Sequence, residues 1–225
     1  MAGLPQHLTG GPVGQEPIAR EVVEDHQRRR IALAAYPVFA ERGYRGTTID
    51  DIVAVARVSV GSFYSLFEGK EGCFLFLYDT VVLEAREQLR EAIPPDAPWP
   101  EAAGTVLQGL LKIAAAEPLR ARIVLVEAPT AGAAAEERYA ETMAELAGSL
   151  RGGRELREQG ADLPIGLESA TVAGIAWLLH QRLVASQLEE IPALLPEMAE
   201  LVFEPYLGPG ETKASIERLL STATS

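Results

Sequence analysis

The chain has 225 residues, 48% of them hydrophobic and 23% charged, with a net charge of −12. That composition supports a packed core and excludes wholesale disorder. A lone cysteine, Cys73, excludes an intrachain disulfide framework and a multi-cysteine zinc site, and suits a reducing compartment. The longest uncharged apolar stretch, Ser169–Gln181, has 13 residues, short of the roughly 20 that a membrane-spanning helix needs. Met1–Pro17 has neither the basic start nor the apolar run of a signal peptide, so a cytoplasmic protein without membrane attachment is expected.

The charge is uneven. Residues 26–71 hold 7 basic and 5 acidic residues, whereas residues 72–225 hold 12 basic and 23 acidic ones. A polyanion would therefore meet residues 26–71 and be repelled by the remainder.

Residues 1–25 carry scattered glycine and proline and read as a flexible tail. A helix follows from about His26 to Arg42, with Ile31, Ala34, Ala35, Val38 and Phe39 on one face. Gly43 stands where a helix stop belongs, and Pro37 inside the helix predicts a kink. Thr48 is a good N-cap for a second, short helix bearing Ile49, Ile52, Val53 and Ala56. Ser59 opens a third short helix, from Val60 to about Phe67. A long helix then runs from Lys70 to about Ile93, and Pro94 and Pro95 end it.

Further helices are expected over Glu101–Ala116, Leu119–Glu127, Ala131–Arg157, Leu167–Leu188 and Ile191–Tyr206, with residues 209–225 as a C-terminal tail. No alternating strand pattern occurs. The expected fold is all-α: a three-helix helix-turn-helix head at residues 26–71 and a helical bundle at 72–208, about nine helices in all.

Two short capped helices joined by three or four residues form a helix-turn-helix, whose second helix enters the major groove. The stretch from Phe39 to Ile52, the run Ala56-Arg-Val-Ser-Val-Gly-Ser-Phe-Tyr-Ser-Leu-Phe and the pair Lys70-Glu71 resemble the DNA-binding domain of the TetR family of bacterial regulators. The spacing of Ser59, Gly61, Tyr64 and Phe67 carries the likeness, which covers about a fifth of the chain.

The resemblance implies roles. Thr48 and Ser59 would cap helices and face phosphates. Tyr64 and Lys70 would contact phosphates, and Val60, Gly61, Ser62, Phe63 and Ser65 would present the recognition surface. Arg45 and the cluster Arg28–Arg30 would reach flanking phosphates or the minor groove. Many family members carry larger polar or basic residues where Val60 and Ser65 stand. Base reading here is therefore expected to rest on apolar contact or on Arg45.

The resemblance also implies a homodimer built from the last two long helices, a palindromic double-stranded operator and a small effector bound in the bundle. The expected cavity residues are Val81, Leu107, Leu111, Ile123, Tyr139, Met143 and Ile175, which favour an apolar effector. The acidic remainder weakly disfavours an anionic one. Repression relieved by the effector is the expected function. Activation, or a helical protein-binding module without DNA affinity, are the alternatives. No convergent acid, base or nucleophile and no phosphate loop suggests an enzyme, and no cofactor or metal is expected. Glu127 and Arg122 read as an internal ion pair or a ligand contact, and His180 with Trp177 as core or dimer packing.

Overall fold

The computed structural model describes residues 16–157 and 162–223. Among them the chain is all helix, with no strand: α1 (Glu16–Gly46), α2 (Ile49–Ala56), α3 (Val60–Tyr64), α4 (Lys70–Ala92), α5 (Trp99–Ala116), α6 (Pro118–Arg122), α7 (Ala133–Leu150), α8 (Leu167–Val184), α9 (Leu195–Leu207) and α10 (Pro209–Ala223). A π turn (Ile123–Glu127) and a 3-10 turn (Ala128–Thr130) come after α6, and a 3-10 segment (Arg151–Leu156) comes after α7.

Both expected tails are shorter than the sequence suggests. Residues 1–15 lie outside the described residues, but residues 16–25 are the start of α1. No glycine or proline interrupts residues 18–36, and a proline in a first helical turn costs little. At the other end, Pro209–Ala223 forms α10. Its buried face is built from Thr212, Ser215, Ile216 and Leu219, too small and polar to register as an apolar stripe. Pro37 does not break α1: Gly43 is the one residue inside it with non-helical angles, at φ 73° and ψ 163°.

Two apolar clusters organise the molecule. The first joins Ile31, Phe39, Ile52, Phe63 and Phe67 of the helix-turn-helix to Phe74, Leu77, Tyr78 and Val81 of α4, and takes in Ile123 from the π turn. It crosses from the head into the bundle without a gap. The second packs Leu107 and Leu111 of α5 against Leu179 of α8, Met198, Val202 and Phe203 of α9, and the rim of α10. The glycines at the end of α7 are needed for close approach. A Cβ on Gly153 would lie 2.8 Å from both the Trp99 and the Tyr206 side chains, whose rings pack edge-on at 5.0 Å.

Candidate nucleic-acid interface and regulatory cavity

The helix-turn-helix is set by its caps. Thr48 Oγ1 accepts the Asp51 N–H at 3.2 Å, and the Asp51 carboxylate accepts the Thr48 N–H at 2.9 Å, a reciprocal capping box. The Thr48 hydroxyl and N–H, both donated to it, and Arg42 beside it hold the Asp51 carboxyl below the ordinary carboxylate range. Arg57 ends α2 in the left-handed region, at φ 54° and ψ 47°. Ser59 Oγ accepts the Ser62 N–H at 3.0 Å and so starts α3.

The exposed face of α3 consists of Val60, Gly61, Ser62, Tyr64 and Ser65. It carries no charge. Its hydroxyls are partly used at home: Ser59 Oγ and Ser62 Oγ lie 2.9 Å apart, and Ser65 Oγ donates to the Ser62 carbonyl at 2.9 Å. Phe63, expected on this surface, points the other way. It is fully buried and packs on Phe67 at 5.3 Å. In so short a helix a large aromatic is needed to hold the element to the core, and its i, i+4 relation to Phe67 is the signal the sequence offered.

The basic residues divide into committed and uncommitted groups. Lys70 Nζ donates to the carbonyls of Tyr44 at 2.7 Å and Thr47 at 2.9 Å, and lies 4.3 Å from the Tyr44 ring centre. Two of its three protons therefore close the end of α1, where a phosphate contact was expected. Arg28 Nε donates to the Leu66 carbonyl at 3.0 Å, Arg29 pairs with Glu84, and Arg42 pairs with Asp51 at 2.6 Å. Arg30, Arg45 and Arg57 are exposed, and among the described residues no side-chain bond engages them. The cluster Arg28–Arg30 thus supplies one uncommitted cation, not three.

Beyond the head, a cavity of about 430 Å³ lies among α4, α5, α6 with its π turn, α7 and α8. Val81, Met143 and Ile175 line it as expected, together with Ala85, Leu89, Leu110, Val124, Leu125 and Leu179. Four expected residues fall elsewhere. Leu107 and Leu111 are buried in the second cluster, on the α5 face turned toward α9. Ile123 is buried in the first cluster, and Tyr139 lies half-buried at that cluster's edge. The polar stripe of α5 (Glu101, Thr105, Gln108, Lys112) leaves an apolar arc wide enough for two contacts, so the sequence could not say which part of it meets the cavity.

The cavity wall also carries Arg86, Arg90 and Arg120, against one acidic residue, Glu145. Arg86 pairs with Glu145. Arg120 pairs with Glu84, the same carboxylate that holds Arg29 of α1, and with Glu117 at 3.0 Å. Arg90 is thus the cation of the wall that has no carboxylate partner among the described residues.

The π turn connects cavity and head. Val124 and Leu125 line the cavity, while Glu127 is buried beneath α1. Glu127 and Arg122 do not pair with each other, contrary to one expectation. Arg122 donates to the carbonyls of Ala40 at 3.2 Å and Leu183 at 2.9 Å. His180 Nδ1 bonds the Leu125 carbonyl at 3.0 Å and its ring stacks on Trp177, whose side chain is 58% exposed.

Residues 31–76 match the family described as "Bacterial regulatory proteins, tetR family". The chain is 30% identical over 86 residues to the uncharacterised HTH-type transcriptional regulator YhgD of Bacillus subtilis, covering 38% of this chain and 45% of that protein. It is 48% identical over 44 residues to the HTH-type transcriptional repressor DhaR of Mycobacterium sp., covering 20% of this chain and 22% of that one. The matched stretches thus span less than half the length of either relative. The fold is similar to that of the transcriptional regulator FadR from Bacillus subtilis in complex with stearoyl-CoA. The TM-score is 0.68 at 22% identity, covering 80% of this chain and 98% of that one.

Proposed function

The head at residues 31–76 is that of a TetR-family protein, and from that premise we propose that the chain is a ligand-responsive transcriptional repressor acting as a homodimer. The observation that carries the reading is the π turn Ile123–Glu127, one side of which lines the cavity while the other is bonded to α1 of the head. An occupant of the cavity and a change at the head are thereby mechanically linked. Residues 26–71 would serve as the DNA-binding unit and 72–208 as the regulatory and dimerising unit, in a cytoplasmic protein.

Each head would dock α3 in a major groove, with Thr48, Ser59 and Tyr64 toward phosphates and Arg45 at the flank. A twofold dimer reads a palindrome with half-sites about 34–36 Å apart. Trp177 and Val184 on α8 and Leu201 on α9 are exposed apolar side chains that a second copy would cover.

The effector we propose is an acyl thioester of coenzyme A. The lining of the cavity suits an acyl chain, and Arg90, with the ion-paired Arg86 and Arg120 beside it, suits the phosphates of such a head group. The FadR neighbour was solved with stearoyl-CoA. This replaces a purely apolar effector by an amphipathic anionic one. Release from DNA is a coupling free energy, of about 1–3 kcal/mol for a roughly 5–150-fold change in operator affinity.

The test is fluorescence anisotropy on DNA from upstream of the protein's own gene, across a salt series, with and without long-chain acyl-CoA. Tight binding with a steep salt slope, weakened by acyl-CoA, is expected. Failure of the refolded, ligand-free protein to bind that DNA or random genomic fragments at low salt rules the reading out. Tightening of binding by acyl-CoA would indicate an activator instead.

A further inference from the structure

The recognition helix lacks what base reading usually requires. Its exposed face offers Val60, Gly61, Tyr64 and the hydroxyls of Ser62 and Ser65, already bonded to Ser59 Oγ and the Ser62 carbonyl, and no long charged donor. The nearest cations that could compensate are mostly spent. Lys70 closes the end of α1, and Arg28, Arg29 and Arg42 are held by Leu66, Glu84 and Asp51.

Arg57 is different. It occupies the turn between α2 and α3, two residues before the N-cap Ser59, and it is exposed. Its φ of 54° is left-handed, a conformation that costs a residue with a Cβ but is free to glycine. The turn needs that conformation: Arg57 N–H reaches back to the carbonyls of Ala54 and Val53, and the Val58 N–H bonds the Val53 carbonyl at 3.1 Å. Glycine would make the same turn without strain. The turn therefore does not require the arginine side chain, and among the described residues that side chain makes no hydrogen bond or ion pair. A strained exposed residue beside the groove-facing helix points to a role outside the folded chain.

We propose that Arg57 is a specificity-determining residue, placing its guanidinium fork on the O6 and N7 edge of a guanine in the major groove, beside the apolar patch of Val60. Base edges are met by the N-terminal residues of a recognition helix, and the turn delivers Arg57 to that end. The bidentate fork matches guanine, whereas Val60 suits a thymine methyl. The half-site is then read by one charged contact from the turn and by shape along α3. This inference rests on the DNA-binding reading above.

The experiment is selection of sequences from a random double-stranded DNA library by the full-length protein and by Arg57→Gly, with thermal melting of both. The variant is expected to melt at or above the wild-type temperature, because glycine relieves the turn. The wild type is expected to select a motif with one guanine in each half-site that the variant ceases to prefer, a loss of roughly 5- to 150-fold per half-site, with other positions unchanged. If both proteins select the same motif with the same guanine preference, the proposal is overturned. If affinity falls equally on all sequences with a shallower salt slope, Arg57 touches phosphate and the proposal is likewise overturned. If the wild type selects no motif at all, the DNA-binding reading itself fails.

Discussion

The carboxylate of Glu127 accepts the backbone N–H of Tyr44 at 2.7 Å, directly beneath the residue where α1 breaks. A Cβ on Gly43 would lie 3.1 Å from the same oxygen, so the break and the carboxylate fit each other. Glu127→Ala leaves a part-buried N–H without its acceptor, at about 1–3 kcal/mol. Glu127→Gln keeps an oxygen there. We expect the alanine variant to melt lower and to lose effector-induced release of DNA, and the glutamine variant to keep most of both. Melting with paired anisotropy titrations reads this out, and equal behaviour of the two variants would remove the carboxylate from the coupling path.

Lys70 and Tyr64 separate structure from binding. Lys70→Ala removes two charge-assisted bonds to carbonyls at the end of α1, each of about 1.5–3 kcal/mol, and should lower head stability before any DNA is added. Tyr64 is 56% exposed, so Tyr64→Phe should leave melting unchanged and reduce affinity for all sequences alike. Chemical denaturation and a salt series tell the two apart. A stable Lys70→Ala protein with a reduced salt slope would restore Lys70 to the phosphate role.

The cavity can be filled from within. Leu110→Trp adds volume to the lining of the cavity of about 430 Å³, away from the head. DNA affinity without effector should stay within about threefold of wild type, since the site is remote and additive effects are expected at that range. Acyl-CoA should no longer release the DNA. An unchanged effector response would place the effector elsewhere.

Trp177→Glu tests the apolar face of α8. The side chain is 58% exposed, so its replacement in the monomer should change stability by no more than about 0.5 kcal/mol. Sedimentation should move from twice 24.2 kDa toward 24.2 kDa, with loss of tight operator binding. A variant that remains dimeric would move the interface off this helix.

Glu168 sets an acid limit. Hydrogen bonds from Arg154, at 2.6 and 3.0 Å, are the main cause that holds its carboxyl down to about 2, and the Tyr206 hydroxyl adds to it. The folded value lies below the ordinary 4.5, so the ionised form stabilises the fold above that pH. The contribution drains away as pH falls from about 4.5 toward 2. Glu168→Gln should flatten the pH dependence of melting in that window and leave its slope near neutrality alone. Parallel acid limbs in the two proteins would show that Glu168 is not the titrating group.

The helix-turn-helix was legible because its punctuation is local. Thr48 and Ser59 each act within a few residues of themselves and cap the helices they were expected to start, and Gly43 is where α1 leaves helical angles. The cavity was only half legible because it depends on which part of a broad apolar arc turns inward. On α5 the stripe Glu101, Thr105, Gln108 and Lys112 leaves Val106 and Leu110 as eligible as Leu107 and Leu111, and of the two pairs the first lines the cavity. Lys70 misled for a related reason. A lysine at a helix start reads as a free cation until the carbonyls of a distant turn are placed beside it.

The π turn at Ile123–Glu127 amounts to one residue more than an α-helix would hold over the same length. Loss of the Glu127 codon would regularise the turn to α-helix and leave the chain on either side near its present place. Tyr44 would lose its acceptor, while α3 and the helices around the cavity kept their places. Under the proposed function, one such step would leave a protein that occupies DNA and binds its effector without coupling the two.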